Sequence, residues 1–109
     1  MGYNKDLVQR IREFLEKTSG VSEKKMFGGI AFMVNGNMTV GVIKDELIVR
    51  VGKEYYTQAL KEDFTREMDF TGKPLKGIIF VEAEGISEDS VLHYWINKGL
   101  KFTQTLPHK

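Results

Sequence analysis

The stretch from residue 25 to residue 51 constrains the fold more than any other part of the chain. It holds three runs rich in apolar and β-branched residues, at 25–34, 38–43 and 47–51. Asn35-Gly36-Asn37 joins the first to the second, and Lys44-Asp45-Glu46 joins the second to the third. Asn and Gly tolerate positive φ, so Asn-Gly between two apolar runs specifies a tight hairpin. The pattern predicts a three-stranded antiparallel meander. Gly28-Gly29 falls inside the first run. Paired glycines there predict a bulge or a close backbone approach.

The flanks change period. Asn4 is placed to cap a helix running to about residue 17, with Leu7, Val8, Ile11, Phe14 and Leu15 as its apolar stripe. Gly20 suits the left-handed position beyond it. Gly52 breaks the sheet, and residues 53–61 favour a helix carrying Tyr55, Tyr56, Ala59 and Leu60. A short strand at 67–70, a turn at Thr71-Gly72-Lys73-Pro74 and a strand at 75–82 follow. Ile78-Ile79-Phe80-Val81 is apolar on both faces, which predicts a central strand covered on both sides. Ser87 is placed to cap a last helix with Val91, Leu92, Trp95, Ile96 and Leu100 as its stripe. Strands and helices are segregated rather than alternating. The expectation is a single α+β domain over residues 1–109, of order α-β(3)-α-β(2)-α, with a five-stranded antiparallel sheet.

Composition excludes several functions. The chain has no cysteine, hence no disulfide framework, thiolate zinc site or thiol nucleophile. Net charge is +1, short of the basic bias of a dedicated nucleic-acid binder. No run approaches the ~20 apolar residues that span a bilayer. The start is charged at once, and Asp6 stands where a myristoylation signal needs Ser or Thr. A cytoplasmic protein with no membrane association is expected.

Catalytic chemistry finds little support. His93 and His108 are the only histidines. His93 reads as a helix-surface residue, and its i, i+4 partner Asp89 offers a metal no third ligand. Glu82 with Glu84, and Glu67 with Asp69, have strand spacing that puts each pair on one face. They read as solvated edges rather than an acid–base pair. The glycines match neither nucleotide-loop pattern. No catalytic residue, cofactor or metal is expected. Lys24, Lys25, Phe27, Arg66, Lys73 and Lys76, with Phe70 nearby, are the candidates for partner or nucleic-acid binding, because basic residues interleaved with aromatics contact phosphates and stack bases. The competing reading is a charged surface above core aromatics. Arg50, inside an apolar strand, is expected to pair with an acid such as Asp69. Tyr55, Tyr56, Phe64, Trp95 and Phe102 are expected in the core, and any left exposed would mark a partner surface.

Several segments resemble one family in order and spacing. Lys25-Met26-Phe27-Gly28-Gly29-Ile30-Ala31-Phe32-Met33-Val34-Asn35-Gly36-Asn37-Met38 resembles the opening motif of the TfoX/Sxy N-terminal domain family. The likeness continues through Val49-Arg50-Val51-Gly52, Met68-Asp69-Phe70-Thr71-Gly72-Lys73-Pro74-Leu75-Lys76-Gly77 and Phe80-Val81-Glu82, and closes at Phe102 and Leu106-Pro107. It covers about residues 24–107. The resemblance implies a bacterial protein with a secretion-chaperone-like fold of order α-β(3)-α-β(2)-α. It also implies a role like that of competence regulators, which act with a DNA-binding activator, the chain corresponding to their first domain. It supplies no catalytic residues. The expected function is a non-enzymatic protein-interaction domain, an accessory regulator of transcription or competence with a protein partner or a second copy as a homodimer. Direct nucleic-acid binding is the alternative, and a small-ligand binder or enzyme built on the 69–76 turn with Arg50 the weaker one.

Overall fold

A computed structural model describes residues 3–26, 28–68 and 75–108. The elements are α1 (Lys5–Phe14), β1 (Val21–Met26), β2 (Gly29–Val34), β3 (Asn37–Ile43), β4 (Glu46–Arg50), α2 (Lys53–Ala59), β5 (Thr65–Glu67), β6 (Ile78–Val81), a 3-10 turn (Ala83–Ile86) and α3 (Asp89–Thr103). The strands form one antiparallel sheet in the order β1-β2-β3-β4-β6-β5. The α+β class holds, with six strands among the described residues rather than five.

The extra strand comes from the glycine pair. The predicted strand at 25–34 is two strands, with Met26 paired to Gly29. Gly28 has φ +77° and makes the turn. Gly29 lies so close to β3 that a Cβ there would stand 1.9 Å from the carbonyl oxygen of Val42. The pair therefore serves strand geometry, one glycine turning the chain and the other admitting a neighbour's backbone. β1 reads Val-Ser-Glu-Lys-Lys-Met with its centre exposed, so it carries no apolar alternation by which to find it. Charged residues on such an edge blunt strand-to-strand association.

Asn4 caps α1 as predicted, its side-chain oxygen accepting from the amide of Leu7 at 3.1 Å. The helix ends at Phe14, earlier than expected, because the amide of Glu16 turns to the carbonyl of Glu13 and that of Thr18 to Leu15. Gly20 is left-handed as predicted, at φ +79°, and the amide of Asn35 donates to its carbonyl at 2.9 Å. That bond fastens the approach to β1 onto the β2–β3 turn.

One face of the sheet carries the main core. Phe32, Val40, Val42, Leu47, Val49, Ile79 and Val81 pack with Leu7, Val8 and Ile11 of α1, Tyr56 and Ala59 of α2, and Leu92, Trp95, Ile96 and Leu100 of α3. The alternation of β4 turns Ile48 the other way. There it joins Met68 and Phe80 in a smaller cluster flanked by Met38, Ile43 and Ile78. β6 lies between β4 and β5 with apolar cover on both faces, as its sequence predicts. It is shorter than predicted: Leu75 accepts a turn bond from Ile78, and Gly77 is left-handed at φ +97°. β5 begins two residues before its predicted start, and the predicted strand positions 69–70 lie outside the described residues. Ser87 does not cap α3. Glu88 occupies that position, and the Ser87 hydroxyl donates to the carbonyl of Glu84.

α3 meets the sheet at a bulge. The β2–β3 register slips after Phe32, leaving Thr39 as the extra residue. Thr39 and Thr103 are buried, their hydroxyls 2.9 Å apart, and Thr103 donates to the carbonyl of Gly99 at 3.0 Å. A Cβ on Gly99 would stand 2.8 Å from the Thr39 carbonyl oxygen, which is backbone and has no room to yield. We expect Gly99→Ala to lower stability by about 1–3 kcal/mol. Thermal unfolding followed by circular dichroism would read this as a fall of roughly 4–8 °C for each kcal/mol.

At the exposed edge, Arg12 holds Glu23 through two bonds of 2.6 and 2.8 Å. The guanidinium's hydrogen bond keeps the Glu23 carboxyl below its ordinary value of 4.5. A depressed carboxyl pKa contributes stability that is complete above the unfolded value and is lost as pH falls through the folded one. Glu23→Gln should therefore be less stable than the native chain at neutral pH, with the difference closing below pH 4.5. Urea unfolding at a series of pH values measures it.

Candidate interaction surface

The six residues singled out from the sequence do not form one surface. Lys24 and Lys25 are exposed on β1, at one edge of the sheet. Arg66 is on β5, at the other edge. It is engaged by an ion pair with Glu46, a second at 3.9 Å to Glu82, and the ring of Phe80 4.3 Å from its guanidinium carbon. Lys76 is exposed beside Gly77, in a small hollow with Arg50. Phe27 and Lys73, like Phe70, lie outside the described residues.

The other candidates resolve into structure. His93 is half-buried on α3 and stacks on Phe14, with centroids 4.2 Å apart. Asp89 turns to Arg10 at 2.9 Å rather than toward His93. Among the described residues no group of three or more His, Cys, Asp or Glu converges as a metal site. Glu82 and Glu84 do not share a strand face, because β6 ends at Val81 and both belong to the 3-10 turn region. Arg50 lies over the Phe102 ring at 5.5 Å. Its expected partner Asp69 lies outside the described residues.

The aromatics point elsewhere. Phe64, Val91 and Tyr94 are 45%, 36% and 38% exposed, and all three line one groove of about 350 Å³ between α3 and the α2–β5 loop. The sequence pattern places Val91 and Phe64 in the core, and the structure exposes both. Phe64 sits in the left-handed region at φ +65°, a conformation costly for a bulky residue. Its surroundings impose it. The amide of Glu82 donates to the Phe64 carbonyl at 2.8 Å, and the Thr65 hydroxyl bonds the carbonyls of Glu62 and Ala59. Gly85 makes the seat: a Cβ there would stand 2.7 Å from the Phe64 Cβ. Glu62, Asp63, Glu84 and Glu88 also line the groove, and no lysine or arginine does so among the described residues.

A tyrosine cluster closes one end of the groove. The Glu62 carboxylate accepts from Tyr55 at 2.7 Å and from Tyr94 at 2.8 Å, and the two hydroxyls are 3.1 Å apart. Desolvation first, then the bonds to Tyr55 and Glu62, push the Tyr94 hydroxyl well above its ordinary value of 10.0. The Lys98 ammonium lies 4.2 Å from the centroid of the Tyr55 ring and 5.3 Å from that of Tyr94.

This is a two-layer α+β domain whose described residues present an apolar groove rimmed by carboxylates. The chain belongs to the TfoX N-terminal domain family, which matches residues 13–103. Comparison with curated proteins and with solved structures gave no match. No helix among the described residues is long and apolar enough to cross a membrane.

A raised phenol pKa means the fold holds the neutral hydroxyl and loses stability as pH climbs through the folded value. Tyr94→Phe should remove a tyrosine ionisation that lies above 10.0. Ultraviolet absorbance titration at alkaline pH would show one late transition fewer.

Proposed function

We propose that the chain is a non-enzymatic protein-interaction domain that acts in the cytoplasm as an accessory regulator of transcription, by contact with another protein. Family membership supports a TfoX-like domain. The observation that carries the interaction is the groove at Phe64, Val91 and Tyr94 with its carboxylate rim. Exposed apolar side chains gathered in one place mark a partner site more than scattered ones do. Holding Phe64 outward at positive φ costs folding free energy, and such strain collects at functional sites. A rim of one charge sign selects its partner by complementarity. The fitting occupant is a segment of a partner protein that presents apolar side chains between lysines or arginines.

A synthetic peptide of alternating leucines and arginines is a sufficient probe. The native chain should bind it. Phe64→Ser combined with Glu84→Gln and Glu88→Gln should weaken binding by about tenfold or more, the scale of losing one buried anchor and its charge partners. Fluorescence anisotropy measures both. Equal affinity for the native and altered chains would end this reading.

A further inference from the structure

The groove has a neighbour of opposite sign. Arg50, Lys53, Lys76, Lys98 and Lys101 gather around the Gly52–Lys53 step, and Glu54 is the carboxylate among the lining residues there. Two hollows share Gly52 and Lys53. The larger, about 470 Å³, is flanked by Lys98, Lys101, Tyr55 and Phe102. The smaller, about 230 Å³, is flanked by Arg50 and Lys76. We propose that this surface binds a chain of linked phosphates laid across both hollows.

The arginines divide by partner. Arg10, Arg12 and Arg66 each meet a carboxylate. Among the described residues Arg50 makes no such ion pair, and neither does any lysine. Two of them are held by rings instead: Lys98 lies over Tyr55 and Tyr94, and Arg50 over Phe102. A cation over an aromatic face is positioned by the ring quadrupole and keeps N–H donors for another acceptor. A carboxylate would have consumed them. Among the described residues, Lys98 and Arg50 are thus positioned donors that no carboxylate occupies.

Shape narrows the ligand. A compact anion would occupy one hollow and leave the cations of the other unmatched. Phosphates linked in a chain can meet Lys98 and Lys101 on one side of the step, Lys53 on it, and Arg50 and Lys76 beyond it. Gly52, shared by both hollows, admits the Phe102 ring of the larger one: a Cβ there would stand 2.4 Å from it. The same chemistry is offered by a nucleic-acid strand and by free polyphosphate.

Two probes separate these sources: a fluorescent oligothymidylate of about a dozen nucleotides, and inorganic tripolyphosphate, each titrated near 50 mM salt and upward. Two double variants remove equal charge, Lys53→Gln with Lys101→Gln at the hollows and Lys24→Gln with Lys25→Gln at the β1 edge. All four lysines are exposed, so both variants should fold, which melting curves would check. The hollow variant should bind at least about tenfold more weakly. Against oligonucleotide its log–log salt slope should fall by roughly 1.4, the share of two phosphate contacts on a single strand. The edge variant should stay within about twofold of native. Binding of the oligonucleotide alone names a strand as the ligand, and binding of tripolyphosphate names free polyphosphate, both in support. Equal losses in the two variants would reduce the effect to net charge and overturn the site. So would failure of both probes to bind at low salt.

Discussion

The arrangement around the functional surfaces depends on a contact at Gly52. This residue lies two positions beyond β4, directly precedes α2, and lies against the Phe102 ring of α3 so closely that any side chain would overlap it. Its φ of +88° is one that L-residues with side chains avoid. The amides of Val51 and Gly52 both donate to the carbonyl of Gly77, at 2.8 and 3.0 Å, just before β6. Four elements therefore meet where one side chain is absent. The contact turns the chain out of the sheet, sets α2 beside α3, and puts Lys53 beside Lys98 and Lys101. From the sequence Gly52 reads as a sheet breaker, which is correct and incomplete. The close approach belongs to Phe102, fifty residues away in the chain, and no local pattern announces it.

α3 divides the charges. Glu88, Val91, Tyr94 and Trp95 line the acidic groove, while Lys98, Lys101 and Phe102 line the basic hollow further along the same helix. The acid-before-base order follows the helix dipole, which favours carboxylates near the first turn and cations near the last. Lys98 stands at the boundary, its ammonium on the two tyrosines whose hydroxyls bind Glu62. The groove and the hollow are thus neighbours joined by a hydrogen-bonded cluster.

Much of the fold was legible because local chemistry agreed with the tertiary outcome. Asn4 capped, Asn35-Gly36 turned, and the apolar strands alternated as their residues direct. β1 escaped because an exposed edge strand has no buried face to leave a pattern, and its sequence is mostly charged or polar. Val91 and Phe64 escaped for the opposite reason. Both are apolar and fit a core reading, yet Phe64 is turned outward by a backbone bond to Glu82, which no spacing rule reveals. The basic candidates lie near aromatics in sequence, which does not make them neighbours in space. A six-stranded sheet then set Lys24 and Lys25 at one edge and Arg66 at the other.

Net charge illustrates the same limit. A value of +1 argues against a dedicated polyanion binder, but a sum over the chain carries no information about where the charges lie. Screening confines exposed charges to a range of about 8–10 Å at physiological salt. A ligand at the Gly52 hollows therefore meets Lys53, Lys98 and Lys101 and is little affected by carboxylates on the far edge of a domain some 30 Å across. Near-neutral composition is what a domain shows when an acidic groove and a basic hollow lie side by side. The balance of Lys and Arg against Asp and Glu is then a property of two surfaces added together, and describes neither.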